Sequence, residues 1–137
     1  MKSNRKRGTS PERLLAKAMR TLGVSFKQHR RDLPGVPDFV FARAKVAVFC
    51  DGDFWHGRNW RARRACLLRG SNPDYWIRKI LSNRKRDRLV TRQLEALGWR
   101  LKRVWESSVR SDALGVARQV ERMVRRIPSA RLSRNKG

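Results

Sequence analysis

Apolar residues recur at helical spacing through Leu14, Leu15, Ala18, Met19 and Leu22, which predicts a helix over residues 10–22. Thr9-Ser10-Pro11-Glu12 marks its start, with capping-box spacing and a proline near the first helical position, and Gly23 marks its end. The pattern then turns extended. Residues 24–30 alternate through Val24, Phe26 and Gln28, Asp38 to Phe41 is short and apolar, and Lys45 to Cys50 is an almost continuous apolar run suited to a central strand. Three strands in succession predict a sheet begun by hairpins.

From Asp51 to Asn72 the apolar period disappears and Gly and Arg dominate, the mark of a loop or of a loop with one irregular helix around 60–69. Pro73 opens a helix whose buried stripe should contain Trp76, Ile80, Leu81, Leu89, Val90, Leu94 and Leu97, with a break expected near Ser82-Asn83 and a stop at Gly98. Trp99 to Glu106 alternates as a strand, with Trp99, Leu101, Arg103 and Trp105 on one face. Residues 108–127 close the chain as a helix through Leu114, Ala117, Val120, Met123, Val124 and Ile127. Helix, three strands, helix, strand, helix predicts a mixed α/β sandwich.

The length, 137 residues, allows one domain. That domain is placed at 9–127, between a basic N-terminal arm over 1–8 and a basic C-terminal tail over 128–137. Lys and Arg number 35 against 11 Asp and Glu, a net charge of +24 that favours a polyanionic partner. The basic residues are not interleaved with acids as on a solvated helix face. Arginine predominates, which suits forked contacts to phosphate. Arg58, Arg61, Arg63 and Arg64 in the central loop, with Lys79, Arg84 and Arg86 beyond it, are the candidate nucleic-acid contacts. No run of 18 apolar residues or signal core is present, so a cytoplasmic, nucleoid-associated protein with no membrane partner is expected. Two cysteines and two histidines supply neither a Cys/His zinc site nor a disulfide framework.

In a chain that sits on phosphates a carboxylate repels the ligand unless a cation lies between them. Asp38 begins one strand and Asp51 follows the next, and an antiparallel pair joined at Ala42-Arg43-Ala44 would set them side by side. Two carboxylates at one sheet edge can hold Mg²⁺ with water and substrate phosphate, which outlines a nuclease site. Pro37-Asp38 and Asp51-Gly52 also suit plain turns. His56 lies in the loop, and an imidazole, with its ordinary pKa of about 6.5, can take a proton from an attacking water. His29, beside Arg30 and Arg31, reads as a structural residue or a phosphate contact. Phe54-Trp55 is either a ring pair of which one caps the core edge or a wedge that unstacks a base step.

Leu33-Pro34-Gly35-Val36-Pro37-Asp38, the run Val48 to Gly57, Trp76-Ile77-Arg78-Lys79-Ile80, Asn83, Arg86-Asp87-Arg88, Leu97-Gly98-Trp99-Arg100 and Val104-Trp105-Glu106 together resemble the very short patch repair (Vsr) mismatch endonucleases. The similarity spans residues 8–107. It implies a restriction-endonuclease-like fold of the PD-(D/E)XK type, a three-layer sandwich with a central mixed β-sheet. It also implies Mg²⁺-dependent nicking on the 5′ side of the thymine in a T:G mismatch, by attack of metal-activated water. The implied roles are Asp38 as metal carboxylate, the backbone carbonyl of Cys50 as second metal ligand, His56 as general base or acid, and Glu12 as the carboxylate reaching metal-bound water. Asp51 stands where some members have a catalytic histidine, Asp87 matches the acid bonded to that position, and Phe54 and Trp55 match the wedge.

The sequence departs from the family where its members usually carry a structural zinc. Two of the cysteine positions are Asp53 and Ser107, so no zinc is expected and the 58–72 loop must be held in another way. The expected partner is duplex DNA with a mismatch, bound by a monomer, with repair proteins as further candidate contacts. The rival readings are a structure-selective or non-specific DNA nuclease of a defence or mobile element, and a non-catalytic architectural DNA-binding protein.

Overall fold

Helix α1 (Pro11–Thr21) begins on Pro11, whose missing N–H would have no partner in a first turn anyway. The computed structural model describes residues 10–54 and 56–126, so the arms expected over 1–8 and 128–137, and Trp55, lie outside the described residues. Ser10 makes no side-chain capping bond and the Glu12 carboxylate turns instead toward Gln28 and His29. At the other end Gly23, at φ 75°, lets the Val24 amide return to the Met19 carbonyl. That turn consumes residues expected to start a strand, and His29, at φ 53°, ends the extended stretch. Strand β1 is therefore only Lys27–Gln28.

β1 pairs antiparallel with β2 (Phe39–Phe41), which pairs antiparallel with β3 (Val46–Asp51) in the register Phe39 to Val48. β3 pairs in parallel with β4 (Arg100–Trp105), so the four-stranded sheet is mixed and runs β1-β2-β3-β4. A parallel neighbour requires a long crossover. It is supplied by α2 (Trp60–Leu68) and α3 (Pro73–Ala96). α3 runs unbroken through Ser82 and Asn83, and its buried side chains are Ile80, Val90 and Leu94. Leu81, Leu89 and Leu97, expected in the core, are exposed. The buried stripe is thus narrow, as for a helix touching the sheet along one edge.

Helix α4 (Glu106–Arg125) kinks at Asp112, whose carboxylate accepts the Gly115 amide and so restarts the helix as an internal N-cap.

Helices cover both sheet faces. Leu15 and Met19 of α1 and Val109, Ala117 and Val120 of α4 pack on Phe39, Phe41, Val46 and Val48. Val90 and Leu94 of α3 pack on Val40, Ala47 and Phe49. β2 and β3 are apolar on both faces because both faces are covered. Full burial of Leu15 or Met19 stabilises by about 1.5–3 kcal/mol each.

Candidate active site

Asp38 stands at the start of β2, and its Oδ2 accepts the Cys50 amide of β3 at 2.7 Å. The antiparallel pair thus joins the two chain segments that carry Asp38 and Asp51, as the sequence predicts. The block leading to Asp38 is fixed by close packing. A Cβ on Gly35, at φ 74°, would stand 2.6 Å from Val90 Cγ1 and 3.2 Å from the Phe49 ring, so only glycine lets the loop cross α3 there. Burial pushes the Asp38 carboxyl up to about 6. The Cys50 amide opposes this, while Glu12 pushes the same way and Asp51 adds to it.

Two more side chains reach Asp38. Glu12 comes from the first turn of α1, and His29 follows β1. His29 Nε2 lies 2.7 Å from Glu12 Oε2 and 3.9 Å from Asp38 Oδ1, and Gln28 donates to Glu12 Oε2 at 2.9 Å. Sequence reasoning leaves His29 out of this group. The signal available is the alternation Gln28-His29 beside a paired strand, too short to show which way the chain turns.

Beyond the Cys50–Asp51 peptide lies a second group. Asp51 is buried at the end of β3, and burial pushes its carboxyl upward against the opposing charges of Arg103 and His56. Arg103 Nη1 stands 3.2 and 3.1 Å from the two Asp51 oxygens and 3.6 Å from Asp87 Oδ1, and its guanidinium lies 4.3 Å from the centre of the Phe49 ring. His56 Nδ1 is 2.6 Å from Asp87 Oδ2 and 3.9 Å from Asp51 Oδ2. Two acids facing each other require a proton or a cation between them, and Arg103 is that cation. Its signal in the sequence is a charged residue on the apolar face of a strand.

The loop carrying His56 is wound by amide bonds from His56 to Gly52, Gly57 to Phe54 and Arg58 to Asp53. Gly57, at φ 69°, permits close approach to α3, where a Cβ would come within 2.9 Å of Ile80. The positions where zinc ligands were expected to be missing hold a polar clasp. Asp53 accepts the Ser107 amide at 3.0 Å and the Ser107 hydroxyl, and Arg58 Nη1 reaches Asp53, Ser107 and Ser108 at 3.3, 2.7 and 3.1 Å. Arg58 also covers the Trp105 ring. One hard carboxylate and two hydroxyls filled by a guanidinium do not fit zinc, which takes thiolate and imidazole ligands.

The remaining candidates separate into two sets. Arg61 and Arg64 on α2 and Lys79 and Arg86 on α3 are exposed. Arg84 instead donates to the Gly57 carbonyl and lies over Trp60, and Arg63 lies over Phe54. Phe54 is half-buried and packs edge-on against Trp76, with centroids 5.6 Å apart. Arg84, Arg88, Arg92 and Thr91 line a cleft beside Asp51, His56 and Asp87. The Cys50 thiol, which burial and then the Asp38 charge push up to about 12, is unreactive as a nucleophile.

Residues 1–62 match the family model for DNA mismatch endonuclease Vsr. The chain is 43% identical over 125 residues to a type II nicking enzyme of Neisseria meningitidis serogroup C, covering 91% of this chain and 83% of that protein. It is 42% identical over 107 residues to a type II nicking enzyme of Haemophilus parainfluenzae, covering 78% and 74%. It is 35% identical over 104 residues to DNA mismatch endonuclease Vsr of Escherichia coli (strain K12), covering 76% and 65%.

Proposed function

The chain belongs to the Vsr family of DNA endonucleases, and from that premise we propose that it nicks duplex DNA at mismatches, T:G above all, in a Mg²⁺-dependent reaction. The observation that carries this reading is Asp38 fixed on the Cys50 amide, one peptide away from the Asp51, His56, Asp87 and Arg103 group. The fold would be the PD-(D/E)XK type, a central mixed sheet between helical layers.

Asp38 and the Cys50 carbonyl would hold the ion, with Glu12 close enough to reach its water. The donor set fits, since a hard divalent ion takes one or two carboxylates and a carbonyl and leaves the rest of its shell to water and phosphate. When bound, Mg²⁺ would stabilise charge on the phosphate oxygen and make water more acidic. The chain's own residues do the remainder. Asp87 holds His56 through Nδ1, which leaves Nε2 to carry a proton to or from the reacting oxygen. Arg103 compensates Asp51 and Asp87, so the second group carries its own cation and does not require another metal.

DNA would lie on the exposed basic residues Arg61, Arg64, Lys79 and Arg86, and Phe54 and Trp55 are the residues proposed to enter the duplex beside the mismatch. The relatives of Neisseria meningitidis and Haemophilus parainfluenzae are called type II nicking enzymes, a name that specifies a nick and no mismatch, and the second reading is a structure-selective or non-specific nuclease. A comparison of T:G and fully paired duplexes of one sequence separates the two.

A further inference from the structure

His29 is the histidine that neither the nuclease chemistry nor the packing of the core uses. Its imidazole is held among three segments that are distant in sequence: the first turn of α1 at Glu12, the end of β1 at His29 and the start of β2 at Asp38. One ligand atom from each of the three lies within 4.8 Å of the others. Adjacent ligands each about 2.1 Å from an octahedral ion stand about 3.0 Å apart. The separations of His29 Nε2 from Glu12 Oε2 and Asp38 Oδ1, 2.7 and 3.9 Å, bracket that spacing. His29 is also exposed enough to turn without disturbing the core, its side chain being 52% accessible.

We infer that His29 is a direct ligand of the cation at Asp38 and sets its metal preference toward first-row transition ions over Mg²⁺, with Mn²⁺ the paramagnetic member that reports it. This rests on the reading of Asp38 as a metal carboxylate. An all-oxygen site suits Mg²⁺, whereas one imidazole nitrogen in the shell selects for ions with greater affinity for nitrogen. The same substitution of nitrogen for oxygen leaves the hard carboxylates in place, so Mg²⁺ still binds.

The test uses the full chain without DNA. Mn²⁺ is titrated by isothermal calorimetry and followed by pulsed electron paramagnetic resonance, in which a coordinated imidazole gives a ¹⁴N modulation of the manganese signal. Wild type is expected to bind Mn²⁺ roughly tenfold or more tightly than Mg²⁺ and to show the modulation. His29→Ala should lose the modulation and lose Mn²⁺ affinity by a larger factor than Mg²⁺ affinity, so that the preference collapses, while its thermal midpoint without metal stays as in wild type. His56→Ala should keep the modulation. Mn²⁺ bound by wild type without the modulation, or with it retained in His29→Ala, overturns the inference and leaves the Asp38 reading standing. Mn²⁺ binding unchanged in Asp38→Asn, or absent in wild type, overturns both.

Discussion

His56 and Asp87, 31 residues apart in the chain, meet at 2.6 Å between Nδ1 and Oδ2, so the loop after β3 and the middle of α3 together fix one imidazole. A histidine bound through one nitrogen has its ring orientation set and its other nitrogen left for proton transfer. If that is its work, His56→Ala should lower single-turnover nicking by about 100- to 10,000-fold with DNA affinity unchanged. Asp87→Asn should lower it less, because the ring remains but its orientation loosens. Nicking rate and binding, measured on the same duplex, separate the two effects.

Arg103 lies between two carboxylates, one of them buried, and its removal leaves them opposed. Arg103→Met should cost about 3–5 kcal/mol of stability. Arg103→Lys should recover only part, since a lysine can reach the Asp51 carboxylate but has no second nitrogen for the Asp87 carbonyl and no planar group to lie over the Phe49 ring. Adding Asp51→Asn to Arg103→Met should restore a share of the loss. Urea midpoints of the four proteins give the comparison.

The clasp at Asp53 predicts a pH dependence. Burial raises the Asp53 carboxyl, but the Ser107 hydroxyl and amide and the Arg58 guanidinium outweigh it and hold it below its ordinary value. The folded state therefore releases this proton more readily than the unfolded chain. Asp53 contributes its full stabilisation above about pH 4 and loses it as the pH falls through its lower folded value. The stability gap between wild type and Asp53→Asn should be widest near neutrality and close on acidification. A zinc chelator should leave the thermal midpoint unchanged.

The elements were legible where one signal acted alone. α1, β3 and β4 follow from apolar period, and the meeting of the Asp38 and Asp51 segments follows from a short turn between strands. What was not legible depends on side chains meeting across the fold. His29 reaches Glu12 because the chain leaves β1 at a left-handed residue, and nothing in a two-residue strand announces that. Arg103 could be placed on the apolar face, but its role appears only once α3 brings Asp87 beside Asp51. The continuity of α3 through Ser82-Asn83 went against local propensity because Ile80, Val90 and Leu94 anchor both sides of that step. Likewise charge alone grouped Arg58 and Arg84 with the DNA contacts, whereas each is held by partners inside the molecule.

That last distinction is measurable. Arg61→Ala, Arg64→Ala, Lys79→Ala and Arg86→Ala should each make the slope of log affinity against log salt shallower by about 0.9 for every phosphate the removed charge had neutralised, with stability unchanged. Arg58→Ala and Arg84→Ala should instead lower the thermal midpoint, through the clasp and through the Gly57 carbonyl.

The most direct measurement is nicking of a T:G duplex and its fully paired counterpart by wild type and Asp38→Ala, each with Mg²⁺ and with chelator. Nicking by wild type alone, in Mg²⁺ alone and faster on T:G, is the expected result. Equal nicking in chelator, or equal nicking by Asp38→Ala, would contradict a reaction built on a cation at Asp38.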